Sequence, residues 1–342
     1  MAKLGIDATS VARDGKGIAR VQRRTVEALA ALGRHELVVF ARHPEELSEA
    51  VPVTVRPALR WEQLGLPRVF REHDLDALLT WTERLPLRGG GRYVVWLFEP
   101  PTHRIRQNRL IGASAYQRAS DIVTLALWKR SLRRAALVLT GSNATRDVIR
   151  EVAPRAWTLY PGLDEAFSPG VGSHDSRYVL LIASSDPRDD TETALAAFAE
   201  VRRRVGDGIR LFVAGGRRVE GEGVVSLGRV SDAELVDLYR GAAAYLDCSL
   251  YEGFGYQVLE AMACGAPVVA THVTSIPEIV GDVGLLCEPR SPRDLADALC
   301  RVLSDEALAA DLRRRGAERG ARFTWERAAS DLANAIDKLV VP

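Results

Sequence analysis

The chain has 342 residues, of which 47% are hydrophobic and 27% charged, a balance typical of proteins that bury large cores and not of disordered chains. The 46 Lys and Arg nearly cancel the 45 Asp and Glu, which argues against a dedicated nucleic-acid-binding protein, because such proteins carry a basic excess. At about 150 residues per domain, the length predicts two domains.

Charge is distributed unevenly along the chain. Residues 1–170 hold 26 Lys and Arg against 18 Asp and Glu, whereas residues 171–342 are acidic by the same count. This asymmetry indicates an anionic or membrane-surface partner for the first half, or equally two lobes that attract each other. The four cysteines lack metal-site and disulfide spacings, and no apolar run reaches about 18 residues. With no signal peptide in the sequence, we expect a cytoplasmic protein with buried thiols.

Short runs rich in Val, Leu and Ile alternate with amphipathic stretches in the first half of the chain. The runs predict strands at 3–7, 36–41, 75–80, 93–98, 137–140 and 156–160, and the stretches predict helices at 18–32, 114–134 and 143–151. Continuous apolar strands separated by helices are typical of parallel sheets that are covered on both faces.

A stretch rich in Gly, Pro and Ser at 169–176 interrupts this alternation and is the predicted linker. Strands are then predicted at 178–183, 210–214, 224–227, 243–247, 267–270 and 284–287, with helices at 191–205, 232–241, 257–264, 292–303 and onwards to 339. Ser231 and Ser291 stand at predicted helix N-caps. The predicted fold class is therefore α/β, with two doubly wound domains whose sheets present their carboxyl ends to a ligand cleft.

Gly15, Lys16 and Gly17 form the first candidate site. They follow the first predicted strand and precede the first predicted helix, so the N–H groups of the helix N-terminus suit a phosphate. The segment does not match a dinucleotide-binding fingerprint, because Arg20 stands where the third glycine belongs. A glycine-containing connection without a ligand is the alternative.

The second candidate site is EGFGYQVLEAMACGAPVVAT, residues 252–271, which lies between two predicted strands. Its glycines let the main chain approach a ligand, and the N–H groups that open the following helix suit a diphosphate. Glu252 in the loop and Glu260 about one turn inside the helix can accept hydrogen bonds from sugar hydroxyls. Taken alone, the pair is better explained by a loop glutamate in solvent and a helix glutamate on a wet surface. The candidate donor-binding residues here are Gly253, Phe254, Gly255, Tyr256 and Glu260.

Glu252 and Glu260 form an E-x7-E pattern, and the segment around them resembles the hallmark of the retaining glycosyltransferases of family 4, which have the GT-B fold of two Rossmann-like domains. Other segments resemble family landmarks in the same order along the chain. They are GKG at 15–17, YPGLDEAF at 160–167, VAGG at 213–216, SLGRV at 226–230, IPE at 276–278 and FTW at 323–325. The resemblance implies an N-terminal domain at 1–170, a nucleotide-sugar-binding domain at 171–324, and a helix at 325–342 that crosses back to the first domain.

The resemblance also implies roles for the candidate residues. Glu252 would bind hydroxyls of the transferred sugar, and Glu260 would bind the ribose of a UDP- or GDP-linked donor. The amides of residues 254–256 and of the 15–17 loop would hold the pyrophosphate, with Val230 beside the base. The family uses no cofactor and no essential metal, so Asp74 and Asp76, which mimic a metal-binding motif, are predicted only to enter a strand.

Two positions depart from the family pattern. Family members carry a lysine against the donor phosphate where this chain has Asp189, whose charge would repel a diphosphate, so Arg188 is the predicted cation. Family members often have a His-Asp pair beside the sugar where this chain has Phe98 and Glu99. His103 is the candidate replacement, and an exposed loop histidine is the alternative.

The predicted function is a retaining, metal-independent transfer of a sugar from a nucleotide-diphosphate donor to an acceptor hydroxyl. The acceptor would be a cell-envelope glycan or a secondary metabolite such as an antibiotic. Glu252 and His103 are the predicted catalytic residues, and preorganised amides would stabilise the departing diphosphate. The predicted partners are therefore the nucleotide sugar and the acceptor, without nucleic acid. Two alternatives stay open: an epimerase or phosphorylase on the same fold, and a non-catalytic sugar-nucleotide-binding protein.

Overall fold

Two parallel sheets organise two separate units in the computed structural model of the chain. The structure describes residues 1–12, 17–47, 49–55, 58–110, 114–174 and 177–340, without the side chains at 104 and 107–110. One unit comprises Met1–Gly162 with Thr324–Pro342, and the other comprises Leu163–Phe323. Within the described ranges, no helix combines the length and the apolar character that crossing a membrane requires.

Seven strands form the sheet of the first unit. They are β1 Lys3–Asp7, β2 Glu36–Ala41, β3 Val51–Pro52, β4 Ala77–Thr80, β5 Tyr93–Leu97, β6 Leu137–Thr140 and β7 Trp157–Thr158. Their order in the sheet is β3-β2-β1-β4-β5-β6-β7, and every pair is parallel. The inner strands β4 and β5 are buried along their whole length, as expected for a sheet covered on both faces.

Helices connect these strands. They are α1 Ile18–Leu32, α2 Ala58–Arg60, α3 Leu66–Glu72, α4 Pro101–Leu110, α5 Ala115–Arg134 and α6 Asn143–Ile149, with a π-helical stretch at Trp61–Gly65 between α2 and α3. The helices between 58 and 72 and the helix α4 were not predicted. The polar sequence of α4 carries no apolar period of 3.6 residues, so hydrophobic periodicity could not identify it.

The second unit repeats the architecture with six parallel strands. They are β8 Tyr178–Ile182, β9 Arg210–Ala214, β10 Val224–Gly228, β11 Ala244–Asp247, β12 Val268–Thr271 and β13 Leu285–Cys287. Their order is β10-β9-β8-β11-β12-β13. The helices are α7 Thr191–Val205, α8 Asp232–Gly241, α9 Tyr256–Ala263, α10 Ile276–Val280, α11 Pro292–Ser304 and α12 Glu306–Gly320.

Two helices of this unit begin where the sequence predicts. The hydroxyl of Ser231 accepts the N–H of Glu234 at 3.2 Å, and the Glu234 carboxylate accepts the N–H of Ser231 at 2.7 Å, which completes a capping box. Ser291 accepts the N–H of Asp294 at 3.4 Å, with Pro292 as the first helical residue. Both predicted N-caps are confirmed.

The last helix, α13, spans Trp325–Val340 and belongs to the first unit. It packs against α1, and its Leu332 and Ile336 side chains are fully buried. Arg34, which follows α1, donates to Asn334 Oδ1 at 2.8 Å and also pairs with Asp337. An apolar stripe at helical spacing and polar pairs beside it therefore hold the end of the described chain on the first unit.

The chain passes from the first unit to the second after Gly162, eight residues before the boundary expected at 170. The difference arises because residues 163–168 contact the second unit. Leu163 N–H donates to Phe323 O at 2.9 Å, and Arg240 Nε donates to Ser168 O at 2.9 Å. Of the glycine-rich stretch expected to be the linker, residues 175 and 176 lie outside the described residues.

Candidate active site

Two loops meet where the strand order of the second sheet reverses. From β8 the chain continues to β9 on one side, and from β11 it continues to β12 on the other side. The loop after β8 carries Arg188, and the loop after β11 carries Glu252. A hydrogen bond from Leu250 N–H to Arg188 O, 2.7 Å long, joins the two loops directly. Open α/β sheets bind ligands at this kind of reversal, so both residues lie at the expected position for a site.

The Glu252 side chain is partly buried among other polar groups. Ser249 Oγ donates to Glu252 Oε1 at 3.3 Å, and Ser249 N–H donates to the buried Asp247 carboxylate at 3.0 Å. Burial, followed by the negative charge of Asp247, raises the pKa of Glu252 to about 8, and the Arg188 guanidinium opposes the rise. Near neutral pH the Glu252 carboxyl therefore exists in both protonation states and can donate or accept a hydrogen bond.

The main chain of Glu252 is held by the loop that follows β12. Its N–H donates to Thr274 Oγ1 at 2.9 Å. Its carbonyl accepts from Thr274 Oγ1 at 2.7 Å and from Ser275 Oγ at 2.9 Å. Side chains 22 and 23 residues away thus satisfy both main-chain groups of Glu252.

The residues after Glu252 form the N-terminus of helix α9. Gly255 is the N-cap and has a φ of +95°, which residues with a side chain rarely adopt. Phe254 is buried. The centre of its ring lies 4.9 Å from the centre of the Tyr256 ring and 6.1 Å from the centre of the Phe323 ring. No side-chain cap is present on this helix among the described residues. The first turn of a helix presents main-chain N–H groups at its end, which makes this end suited to an anion.

Glu260 lies one turn inside α9 and is 5% exposed. Its Oε2 accepts a hydrogen bond from the Tyr239 hydroxyl at 3.3 Å. Burial raises the pKa of Tyr245 far above its usual value, followed by the charge of Asp247, with smaller contributions from Tyr239, Glu252 and Glu260. The alternative of a Glu260 side chain on a wet surface is therefore wrong.

Arg188 is held by its neighbours in the loop after β8. Its Nε and Nη2 atoms donate to Asp186 Oδ2 at 3.1 and 3.0 Å, and its guanidinium carbon lies 5.9 Å from the centre of the Tyr251 ring. Asp189 accepts the N–H of Ser184 at 2.6 Å, and burial raises the pKa of its carboxyl. These charge-assisted hydrogen bonds hold the guanidinium beside the Glu252 loop.

The remaining candidate residues do not belong to the two loops that carry Arg188 and Glu252. Val230 follows β10 at the same edge of the second sheet, three strands from β11. Gly17 is the N-cap of α1 with a φ of +60°, and His103 is a half-buried residue of α4, so both belong to the first unit. Gly15 and Lys16 lie outside the described residues.

Asp74 and Asp76 lie directly before β4, which begins at Ala77. Asp76 accepts the N–H of Lys3 at 2.8 Å, just before β4 begins. Throughout the described part of the chain, no group of three or more His, Cys, Asp or Glu side chains is arranged to hold a metal ion.

Five residues around the two glutamates were not predicted from the sequence: Tyr239, Asp247, Ser249, Thr274 and Ser275. Asp247 and Ser249 end a strand beside the site, a position that could have drawn attention to them. Thr274 and Ser275 follow a different strand, and only the pairing of β11 with β12 brings them to Glu252. Tyr239 lies in α8, and no pattern in the sequence around it indicates a place in the site.

Comparison with known proteins relates part of the chain to glycosyltransferases. Residues 176–305 match the family described as "Glycosyl transferases group 1". The O-antigen chain mannosyltransferase B of Escherichia coli is 33% identical over 175 residues, which make up 47% of this chain and 46% of that protein. A D-inositol 3-phosphate glycosyltransferase of Saccharomonospora viridis is 34% identical over 212 residues, 54% of this chain and 49% of that protein. The chain spans about half the length of these two relatives.

Solved structures resemble the chain over nearly its whole length. Sucrose-phosphate synthase from Thermosynechococcus elongatus has a TM-score of 0.74 at 20% identity and covers 99% of both chains. Anabaena HepE in complex with UDP-glucose has a TM-score of 0.71 at 17% identity, covering 99% of this chain and 100% of the other. The predicted GT-B fold class is confirmed, and residues 176–305 match the model of the group 1 glycosyltransferases. The finer assignment to family 4 stays a prediction.

Proposed function

We propose that the chain transfers a sugar from a nucleotide-diphosphate donor to an acceptor hydroxyl, with retention of anomeric configuration. One observation carries the proposal: Arg188, Glu252 and the N-terminus of α9 lie together at the strand-order reversal of the second sheet. They stand inside the segment that matches the group 1 glycosyltransferases. The complex of HepE with UDP-glucose supports a nucleotide-sugar donor, and we propose a UDP- or GDP-linked one.

The proposed reaction exchanges two bonds at the anomeric carbon. The bond from this carbon to the diphosphate oxygen breaks, and its electron pair stays on the diphosphate. The acceptor oxygen bonds to the same carbon from the same face, and its proton passes to the departing phosphate oxygen. The N–H groups that open α9 and the Arg188 guanidinium would stabilise the charge that develops on the diphosphate, because they are oriented before the reaction begins.

Glu252 would position the sugar. Its carboxyl, with a pKa raised to about 8 by burial and by Asp247, can both donate to and accept from sugar hydroxyls. Glu260 would hold the ribose, and Val230 would lie beside the base. We propose no covalent nucleophile and no metal in the reaction. His103 and the 15–17 loop stay predicted contacts from the first unit.

The relative named O-antigen chain mannosyltransferase favours a cell-envelope glycan as the acceptor, and a secondary metabolite such as an antibiotic is the alternative. A weak membrane-surface contact of the first unit and a cytoplasmic location stay predictions.

Incubation with a panel of UDP- and GDP-sugars tests the proposal. We expect release of one nucleoside diphosphate and transfer to an acceptor glycan, with the anomeric configuration determined by NMR. Glu252→Ala should abolish transfer and leave binding of the free nucleotide within about 3-fold, because the carboxylate acts on the sugar and not on the nucleotide. The matched control is Glu220→Ala, an exposed glutamate of the same unit. Nucleotide-sugar binding without any turnover would support the non-catalytic alternative.

A further inference from the structure

Thr274 adopts a backbone conformation that is unfavourable for its residue type. Its φ is +40°, in the left-handed region. Five described residues other than glycine have positive φ, and Thr274 is the β-branched one among them. A positive φ is a genuine outlier for a β-branched residue, because the branched side chain crowds the main chain there. Such strain persists only where the surrounding structure enforces it, and it often marks a functional position.

The Thr274 hydroxyl makes two hydrogen bonds with a single residue. It accepts the N–H of Glu252 at 2.9 Å and donates to the carbonyl of Glu252 at 2.7 Å. A hydroxyl has only one proton to donate, and this proton is used on Glu252. Ser275 Oγ adds a further donor to the same carbonyl at 2.9 Å.

A turn alone would not select threonine at this position. Glycine reaches a φ of +40° without strain and is the usual residue for such a conformation. Threonine keeps the strain but supplies the hydroxyl that contacts Glu252. What distinguishes threonine here is therefore its pair of hydrogen bonds to Glu252.

These contacts hold the Glu252 main chain, from which the side chain extends. Glu252 lies between β11 and α9, outside any strand or helix, so no ladder of hydrogen bonds fixes its main chain. With its N–H and carbonyl held by Thr274, the carboxylate can move only through its own side-chain torsions. The Ser249 hydroxyl, 3.3 Å from Oε1, then restricts those torsions.

We propose that Thr274 is a positioning residue for Glu252, and that its strained backbone is retained because it places the hydroxyl against the Glu252 main chain. The proposal rests on the proposed function in one respect, namely that Glu252 contacts the transferred sugar. A displacement of about 1 Å at a group that orients the substrate can reduce turnover about 100-fold. Thr274 would thus act on catalysis without touching the donor.

Three substitutions separate the hydroxyl from the strain. Thr274→Ser keeps the hydroxyl, Thr274→Val keeps the shape without it, and Thr274→Gly removes both hydroxyl and strain. We expect kcat to fall at least about 10-fold in the valine and glycine variants, with the donor KM within about 3-fold, and to stay within about 3-fold in the serine variant. Thr274→Gly should melt at or above the temperature of Thr274→Val, because the strain is gone.

Thr158→Val is the matched control, since it removes a threonine hydroxyl from the first unit, and it should keep the wild-type kcat. A wild-type kcat in Thr274→Val would overturn the proposal. So would a serine variant as slow as the valine variant, because the hydroxyl would then not be what the position requires. A glycine variant that melts below the valine variant would also overturn it, because the backbone at this position would then not be strained.

Amide hydrogen exchange separates a failure of this proposal from a failure of the proposed function. The Glu252 N–H loses its acceptor in Thr274→Val, so its exchange should become faster, while the Thr274→Ser protein should resemble the wild type. This measurement needs no turnover. If the wild-type protein transfers no sugar, the proposed function fails, and the exchange at Glu252 still decides whether Thr274 positions it: unchanged exchange overturns the proposal.

Discussion

The carboxylate of Asp189 accepts a hydrogen bond from the main-chain N–H of Ser184 at 2.6 Å. The two residues belong to the same loop after β8, so the hydrogen bond between them lies within this loop. This contact shows how an aspartate is accommodated where related enzymes are expected to have a lysine. Its charge still acts on the site, because Asp189 contributes to the raised pKa of Glu252.

Asp189→Asn should therefore bind the free nucleoside diphosphate more tightly than the wild type. The amide oxygen can still accept from Ser184, whereas the negative charge near the diphosphate is lost. We expect about a 3- to 10-fold lower Kd at low salt, and a smaller difference at high salt, because salt screens charges. Calorimetric titration at two salt concentrations measures both. Asp189→Ala is the control for the loop contact, and an unchanged Kd in Asp189→Asn would show that the charge does not reach the nucleotide.

Glu252→Gln should stabilise the protein in a pH-dependent way. The pKa of Glu252 is about 8 in the folded protein and near 4.5 without the fold, so the folded state retains a proton that the unfolded state loses. Stability contributed by this group is thus complete below pH 4.5 and is lost as the pH rises to about 8. The glutamine variant lacks this loss.

We expect the melting temperature of Glu252→Gln to match the wild type near pH 4.5 and to exceed it by at least about 2 °C at pH 8. Scanning calorimetry across this range checks the prediction. Glu220→Gln, an exposed matched substitution, should show no such trend. A difference that is independent of pH would contradict the raised pKa.

Gly255→Ala should destabilise the second unit and weaken donor binding. The φ of Gly255 is +95°, and a Cβ atom there would lie 2.8 Å from Ile276 Cδ1. We expect a loss of about 1–3 kcal/mol in the free energy of unfolding. Denaturant titration measures the loss. Gly208→Ala is the control, since a Cβ at Gly208 meets no atom within 4 Å, and it should change stability by less than about 0.5 kcal/mol.

Adding Ile276→Val to Gly255→Ala separates the two causes of that loss. The smaller side chain removes the Cδ1 atom that the new Cβ would meet, whereas the left-handed backbone remains strained. Partial recovery is therefore expected. Full recovery would show that the steric contact alone excludes a side chain at Gly255.

Glu260→Gln should reduce the ability of the protein to distinguish a ribonucleotide from its deoxyribose analogue. The buried carboxylate, which Tyr239 supports with a hydrogen bond, is the proposed acceptor for ribose hydroxyls. A hydrogen bond to a charged group contributes about 1.5–3 kcal/mol, so the wild type should prefer UDP over 2′,3′-dideoxy-UDP at least about 10-fold if UDP is the donor nucleotide.

Tyr239→Phe should reduce this preference less than Glu260→Gln does, because the carboxylate remains in place. Competition binding with both nucleotides, and with the guanosine pair if GDP binds more tightly, measures the preference. An undiminished preference in Glu260→Gln would exclude Glu260 as the ribose contact.

The alternation of apolar and amphipathic segments was sufficient to predict the doubly wound sheets. Strands such as β1, β2 and β9 have the predicted bounds because each is a continuous apolar run between helical patterns, a signal contained within a few residues. The elements that the sequence failed to predict lack such a local signal. The two-residue strand β3 and the polar helix α4 carry no period, so tertiary contacts and not their own sequence decide them.

The same distinction holds at the candidate site. The helix opened by glycines, with Glu252 before it and Glu260 within it, could be predicted from the local sequence, because these residues lie within nine positions of one another. Three contacts became evident only in the folded structure: Thr274 holds the Glu252 main chain, Tyr239 donates to a buried Glu260, and Asp189 accepts from its own loop. The first two contacts join segments that become neighbours only through strand pairing and helix packing. Burial, which sets the pKa of Glu252, likewise arises only when those segments meet.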